Sequence, residues 1–122
     1  MRVKVYFNLH KNLFSIVALE GQKKGRVISH TDTIDLKNCR YRVQKAGRER
    51  VIREKRKNVH AYIVGYMTNI DDDFAKDNMT KEITYNPYKF AHFVNKNNNL
   101  AVHNSDYCRL SVSNNRTKII AC

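Results

Sequence analysis

The sequence has no apolar run long enough to span a membrane, no paired-cysteine motif and few acidic side chains. A membrane helix needs about 18 consecutive apolar residues, so the missing run excludes a helical membrane protein. The N-terminus alternates polar and apolar residues and has no apolar signal-peptide core, so we expect no export. Three cysteines without a CxxC pair argue against a disulfide framework and favour a reducing, cytosolic setting.

The local spacings of a zinc site are also missing. The five histidines stand singly, with no HxxxH pair and no adjacent Cys/His pair. We therefore expect no metal and no cofactor. The acidic cluster 71–73 could hold Mg²⁺, but consecutive carboxylates point in different directions, which favours a helix-capping role. The loop 21–25 has glycine at both ends but lacks the P-loop pattern, which favours a hairpin connection.

Acidic residues are scarce, and the basic excess lies in one half of the chain. The 122 residues include 23 Lys and Arg against 11 Asp and Glu, a net charge of +12. Residues 1–60 hold sixteen basic and five acidic side chains, whereas residues 61–122 are close to neutral. A length of 122 residues predicts a single domain. The charge favours polyanionic partners, such as nucleic acid or an anionic nucleotide.

Alternating hydrophobicity predicts antiparallel strands near both ends of the chain. Residues 2–9 and 13–19 form a hairpin pattern, and a second hairpin turns at Asn114-Asn115, where asparagine tolerates positive φ. Residues 59–67 are rich in strand-forming side chains and predict a central strand. Further short strands are expected at 26–29, 33–36 and 39–43.

Residues 44–57 are the best helix candidate, because most of them are good helix formers. Glu49–Arg53 and Arg50–Glu54 have the spacing of stabilising ion pairs. Short helices are also expected after the acidic cluster and at Asn86-Pro87, where a strand is nearly as favoured. Together the patterns predict an α+β fold, a small and mostly antiparallel curved sheet or half-open barrel with one basic helix and one or two short helices.

Three stretches carry a resemblance to a known group of proteins. They are VYFNLHK at 5–11, GRVISH at 25–30 and AGRERVIREKRKNVHA at 46–61. Over roughly residues 3–67, the chain resembles small uncharacterised proteins encoded by tailed bacteriophages. The resemblance implies a phage accessory protein that acts in the bacterial cytoplasm. It brings no known activity and no catalytic residues.

The basic segment 40–57 is the strongest candidate for a binding site. Residues 37–57 hold ten basic side chains, and only Glu49 and Glu54 oppose them. Arginine is suited to bidentate phosphate contacts, and tyrosines on neighbouring strands could stack on bases. The expected phosphate-binding residues are Arg40, Arg42, Arg48, Arg50, Arg53, Arg56 and Lys57. The expected stacking residues are Tyr41, Tyr62 and Tyr66, with Tyr6 beside them. The competing interpretation is a solvated helix whose arginines pair with local acids.

The favoured hypothesis is a protein that binds nucleic acid or a nucleotide and is not an enzyme. The enzymatic hypothesis is a metal-independent ribonuclease or phosphodiesterase in which His10, His30 and His60 supply the general acid and base. The same residues could equally be unrelated structural or surface histidines. The chain could also be a sponge for a cyclic nucleotide or an inhibitor that docks on an acidic host protein. A membrane partner is not expected, because the helix lacks a broad apolar face. The oligomeric state is left open.

Overall fold

The computed structural model describes all 122 residues as one nine-stranded sheet with two helices. The strands are β1 (Arg2–Asn8), β2 (Leu13–Ala18), β3 (Val27–Thr31), β4 (Thr33–Val43), β5 (Ala61–Thr68), β6 (Lys81–Thr84), β7 (Val94–Asn95), β8 (Asn104–Ser113) and β9 (Arg116–Ala121). Helix α1 (Lys45–Glu54) joins β4 to β5, and α2 (Asp72–Asn78) joins β5 to β6. The strand order is β3-β2-β1-β5-β4-β8-β9-β6-β7, and every pairing is antiparallel. The expected α+β class, with a curved sheet, is confirmed.

The two flanks of the sheet share one hydrophobic core, although the sheet does not close. The core combines side chains of β1 and β2 with side chains of β6, β8 and β9. An apolar cavity of about 210 Å³ lies between them. Its lining includes Val5, Phe7, Phe14, Ile83, Phe93 and Ile119. The other face of β1, β5 and β4 carries mostly polar side chains, since successive residues of a strand point to opposite faces.

Both expected hairpins are present. The β8–β9 turn places Asn114 at φ 51° and Asn115 at φ 62°, the two positive values that a tight hairpin turn requires. The expected strands 33–36 and 39–43 form the two halves of a single strand, β4, which is irregular near Asn38. The short helix expected at Asn86-Pro87 is wrong. That segment is a turn, in which the Asn86 side chain accepts the N–H of Tyr88, and it leads to β7.

Helix α1 is shorter than the 44–57 expected from composition. It ends where Lys55 adopts φ 55° and donates its N–H to the Val51 carbonyl oxygen. A left-handed residue at a helix end leaves no trace in helix propensity, so the composition overextends the helix. The expected ion pairs Glu49–Arg53 and Arg50–Glu54 are also wrong, because neither pair lies within 4.0 Å. These side chains are exposed, where water competes with pairing.

Helix α2 and the segment before it are anchored by side chains that lie far apart in the sequence and that no sequence pattern groups together. Asp71 caps α2, with its carboxylate accepting the N–H groups of Asp73 and Phe74. Arg109 on β8 donates to Asp35 on β4, to Asp72 and to the Ile70 carbonyl oxygen. Asp35 above all raises the pKa of Arg109 above its usual range. Two of the three carboxylates in the acidic cluster are therefore committed, Asp71 to capping and Asp72 to pairing. Neither helix is long and apolar enough to cross a bilayer.

Gly47 sets the distance between α1 and the residue that precedes β5. A Cβ atom at this position would lie 2.5 Å from the Cβ of His60. His60 is itself buried, with 6% of its surface exposed, and it cannot move aside without breaking its hydrogen bonds. Glycine is thus a packing requirement here, although it is a poor residue for a helix interior.

We expect Gly47→Ala to lower the free energy of unfolding by about 1–3 kcal/mol, as overpacking does elsewhere. The matched control is Ala46→Gly at the exposed neighbouring position, where loss of helix propensity should cost about 1 kcal/mol. These results together would show that alanine is preferred at position 46 and glycine at position 47. Urea unfolding of the three proteins measures this, and a stabilised Gly47→Ala variant would contradict the packing account.

Candidate functional site

The outer face of the sheet presents cations on two strands, with a neutral strand between them. Side chains directly opposite each other in antiparallel strands lie on the same face. Arg2 on β1, Tyr66 on β5 and Lys37 on β4 form one row. Lys4, Val64 and Arg40 form the next row, and Arg42 lies beside Tyr62. We call this surface the outer basic face. It consists of Arg2, Lys4, Lys37, Arg40, Arg42, Tyr6, Tyr62, Val64 and Tyr66.

The irregularity in β4 is what puts its cations on one face. From Lys37 to Arg40, β4 advances three residues while β5 advances only two, from Tyr66 to Val64. This is a β-bulge, in which Asn38 has φ 51°. Strict alternation over three residues would send Lys37 and Arg40 to opposite faces. With the bulge both face outward, while Cys39 turns inward to the core.

An open groove of about 830 Å³ lies on this surface, between β1, β5, β4 and the first residues of β8. Arg2 lies on the β1 side, Arg40 and Arg42 lie on β4, and Tyr66 on β5 between them contributes an aromatic ring. The β8 side carries hydrogen-bonding groups rather than cations, namely His103, Asn104, Ser105 and Asp106. A volume of this size lies within the range of about 300–1,000 Å³ common for ligand sites.

The cations of residues 1–60 are not neutralised within the chain. The structure has three ion pairs, which use Lys96 and Arg109 as their only cations. None of the sixteen basic side chains before residue 61 lies within 4.0 Å of a carboxylate. The basic segment is therefore not a helix neutralised by local acids. The positive potential of this half of the surface remains available to a polyanion.

Six of the seven expected phosphate-binding residues are exposed. These are Arg40 and Arg42 on β4, Arg50 and Arg53 on α1, and Arg56 and Lys57 in the segment after it. Arg48 is different, because part of its guanidinium is engaged inside the fold. Its Nε–H donates to the carbonyl oxygens of Pro87 at 3.0 Å and Phe90 at 2.8 Å, which ties α1 to the turn between β6 and β7.

The expected stacking residues separate into buried and available rings. Tyr41 is 5% exposed, its hydroxyl hydrogen-bonds Ser105 at 2.8 Å, and burial raises its pKa above the usual range. Its expected stacking role is therefore wrong, because Tyr41 has the inward parity of β4. Tyr62 is half-buried, and Lys4 Nζ lies 5.0 Å from its ring centroid. Tyr66 is 39% exposed and lines the groove.

The three histidines of the enzymatic hypothesis have separate surroundings. His10 lies in the exposed β1–β2 turn, and His30 Nδ1 is hydrogen-bonded to Ser15 Oγ at 2.9 Å. His60 Nδ1 donates to the Asn58 carbonyl oxygen at 2.8 Å, so its Nε2 accepts from the Tyr85 hydroxyl at 2.7 Å in the neutral ring. With both nitrogens engaged inside the fold, His60 is a structural residue. No hydrogen bond joins any two of the three.

The site also contains residues that the sequence did not single out. Arg2, Lys4 and Lys37 lie outside the segment 40–57, and they join the outer basic face only through strand pairing. His103 contributes to the groove, and its ring centroid lies 5.7 Å from that of His92. The one sequence signal for these residues was the alternation of basic and apolar residues in β1. It identified the outward side chains of β1 but not the strands beside them.

Comparison with known proteins relates the chain to a phage gene product. The family model described as Mycobacterium phage L5 gene 82 protein matches residues 1–118. The gene 82 protein of Mycobacterium phage L5 is 40% identical over 119 residues, which cover 93% of this chain and 92% of that protein. No solved structure gives a significant match. The expected resemblance to phage proteins is confirmed, and it extends well beyond residue 67.

The different environments of Arg48 and Arg53 predict different effects on stability. Arg48→Ala removes a charged donor shared by two carbonyl oxygens and should lower the free energy of unfolding by about 1.5–3 kcal/mol. Arg53→Ala removes the same charge from an exposed position and should change stability by less than about 0.5 kcal/mol. Thermal and urea unfolding test the pair. Equal destabilisation by both substitutions would argue against the structural role of Arg48.

Proposed function

The chain belongs to the family of the Mycobacterium phage L5 gene 82 protein, and we propose that it is a phage accessory protein that binds nucleic acid. The outer basic face and the exposed cations of α1 and the segment after it form the binding surface. Its place of action is the cytoplasm of the infected bacterium. There it interferes with a host defence or with another host process that involves nucleic acid.

The observation that carries this proposal is the absence of ion pairs among the sixteen cations of residues 1–60. Side chains that merely keep a surface soluble are usually interspersed with acids, and a large field of one sign serves steering or binding. Phosphates along a nucleic-acid backbone would place negative charge opposite these cations. Release of condensed counterions would then supply much of the binding free energy.

The cations have two kinds of support, which suit them to different parts of a long ligand. Arg40 and Arg42 project from a strand that is paired on both sides, so their Cα positions are fixed by the sheet. Arg50 and Arg53 project from a helix whose buried anchor is Val51. Only two residues separate Arg42 from the start of α1, so the two surfaces adjoin along the chain. A backbone several nucleotides long could contact both.

The competing functions receive less support from the geometry. A histidine-based nuclease would need residues that converge on one phosphate, and His60 is enclosed by its own hydrogen bonds. A sponge for a cyclic nucleotide would need an enclosed basic pocket, whereas the cationic groove is open. An acidic host protein could meet the same cations. Recovery of a host protein after nuclease treatment of a pull-down would favour that partner over nucleic acid.

We expect the protein to bind oligonucleotides with a steep dependence on salt. Fluorescence anisotropy should show a Kd that weakens by about 10³–10⁵-fold between 50 mM and 200 mM salt if six to ten phosphates are contacted. The double substitution Arg50→Glu and Arg53→Glu should weaken binding strongly, because it replaces two of these phosphate contacts with repulsion.

The matched control is Lys81→Glu with Lys118→Glu, which makes the same change in net charge. Both lysines are exposed on β6 and β9, at the opposite flank of the sheet. This control should retain most of the affinity. The proposal fails if the α1 variant binds as tightly as the unaltered protein, or if both double variants lose affinity equally.

A further inference from the structure

We infer that the groove on the outer basic face is a subsite for single-stranded nucleic acid, in which one unpaired base stacks on Tyr66. This inference rests on the proposed function. It adds the class of nucleic acid that is bound and the residue that recognises an unpaired base. It predicts that the protein selects a single strand over a duplex of the same sequence. The selectivity depends on the placement of charge, on the one available ring and on the chemistry of the β8 wall.

Charge on the outer basic face is arranged in two lines with a neutral floor between them. β1 contributes Arg2 and Lys4, and β4 contributes Lys37, Arg40 and Arg42, whereas β5 presents only tyrosine and valine outward. Neighbouring strands lie about 4.8 Å apart, so the two cationic strands are separated by about 10 Å. Phosphates can meet cations on either strand while the sugar and base lie over β5. A duplex, whose bases are turned inward, cannot use the neutral floor.

Tyr66 is the tyrosine on β5 whose ring is exposed enough to stack on a base. Its neighbours in the row are Arg2 and Lys37, which lie on either side of it. Tyr62, on the same face of β5, already has the Lys4 ammonium 5.0 Å from its centroid. Tyr66 has no such contact and is 39% exposed. Stacking on a tyrosine tolerates any base, because every base has a π face.

The β8 side of the groove adds polar groups that can hydrogen-bond a base edge or a sugar, and one of them, Asp106, disfavours a phosphate. Asn104 offers an amide that can donate and accept, and Asp106 offers a carboxylate that only accepts. Asp106 would repel a phosphate, whereas Arg40 on the adjacent strand β4 and Arg2 on β1 would attract it. The groove therefore orients a nucleotide, with its phosphates over the cations of β1 or β4 and its base on Tyr66 of β5, and the β8 groups next to β4 can hydrogen-bond a neighbouring sugar or base.

The test compares one labelled sequence as a single strand, as a duplex and as a single strand with abasic sites, at constant salt. The unaltered protein should bind the base-containing single strand most tightly. Tyr66→Leu should weaken that binding by about fivefold to a hundredfold, the range for loss of one stacked base, and leave duplex binding unchanged. The abasic strand should bind the unaltered protein as weakly as the normal strand binds Tyr66→Leu.

Two controls separate stacking from damage to the fold. Tyr66→Phe keeps the ring and should retain single-strand affinity, whereas Tyr88→Leu removes a tyrosine that is 60% exposed outside the groove and should change nothing. Circular dichroism and melting temperature verify that each variant is folded. If Tyr66→Leu binds every form as the unaltered protein does, or loses single strand and duplex equally, the inference is overturned and the proposed function still stands. If the unaltered protein binds no form, both are overturned.

Discussion

The β-bulge at Asn38 is the constraint on which both the core and the outer basic face depend. β4 is paired along its length with β5 and β8, and at the bulge it advances three residues together with β8 while β5 advances two. The bulge lets Leu36 and Cys39 both turn inward, although three positions separate them, and lets Lys37 and Arg40 both turn outward. If β4 instead kept strict alternation through Asn38, every side chain on one half of the strand would be reversed. That would bury arginines or expose Tyr41.

The arrangement of cations follows from a second constraint, which is repulsion between like charges on neighbouring strands. Cations directly opposite one another in a sheet are destabilising. Here Tyr66 separates Arg2 from Lys37, and Val64 separates Lys4 from Arg40. The two cationic strands are thus kept about one Debye length apart at physiological salt. The surface therefore carries a high charge at limited cost in stability. The same repulsion explains why a neutral strand, β5, lies between the two cationic strands.

Much of the fold was predictable because its signals are local. Alternation in residues 2–9 indicated β1, the asparagines at 114–115 indicated a hairpin turn, and Asp71 indicated the start of α2. The bulge and the short strands β6 and β7 carry no comparable signal. The candidate site was predicted only in part. Charge density identifies a basic segment, but it does not show which of its basic side chains hydrogen-bond within the fold. Arg48 and Arg53 look alike in sequence, and only the carbonyl oxygens of Pro87 and Phe90 distinguish them.

The structure moves the centre of the proposed binding surface from the helix to the sheet. Composition favours α1, where arginines are most frequent, but one of them is committed to the fold and the others stand on a helix with a single buried residue. Sheet residues are held by neighbours on both sides, so less conformational entropy is lost when they bind a ligand. We therefore expect geometry, and with it selection among nucleic acids, to come from β1, β5 and β4. The arginines of α1 then add electrostatic attraction for a ligand that the sheet has already oriented.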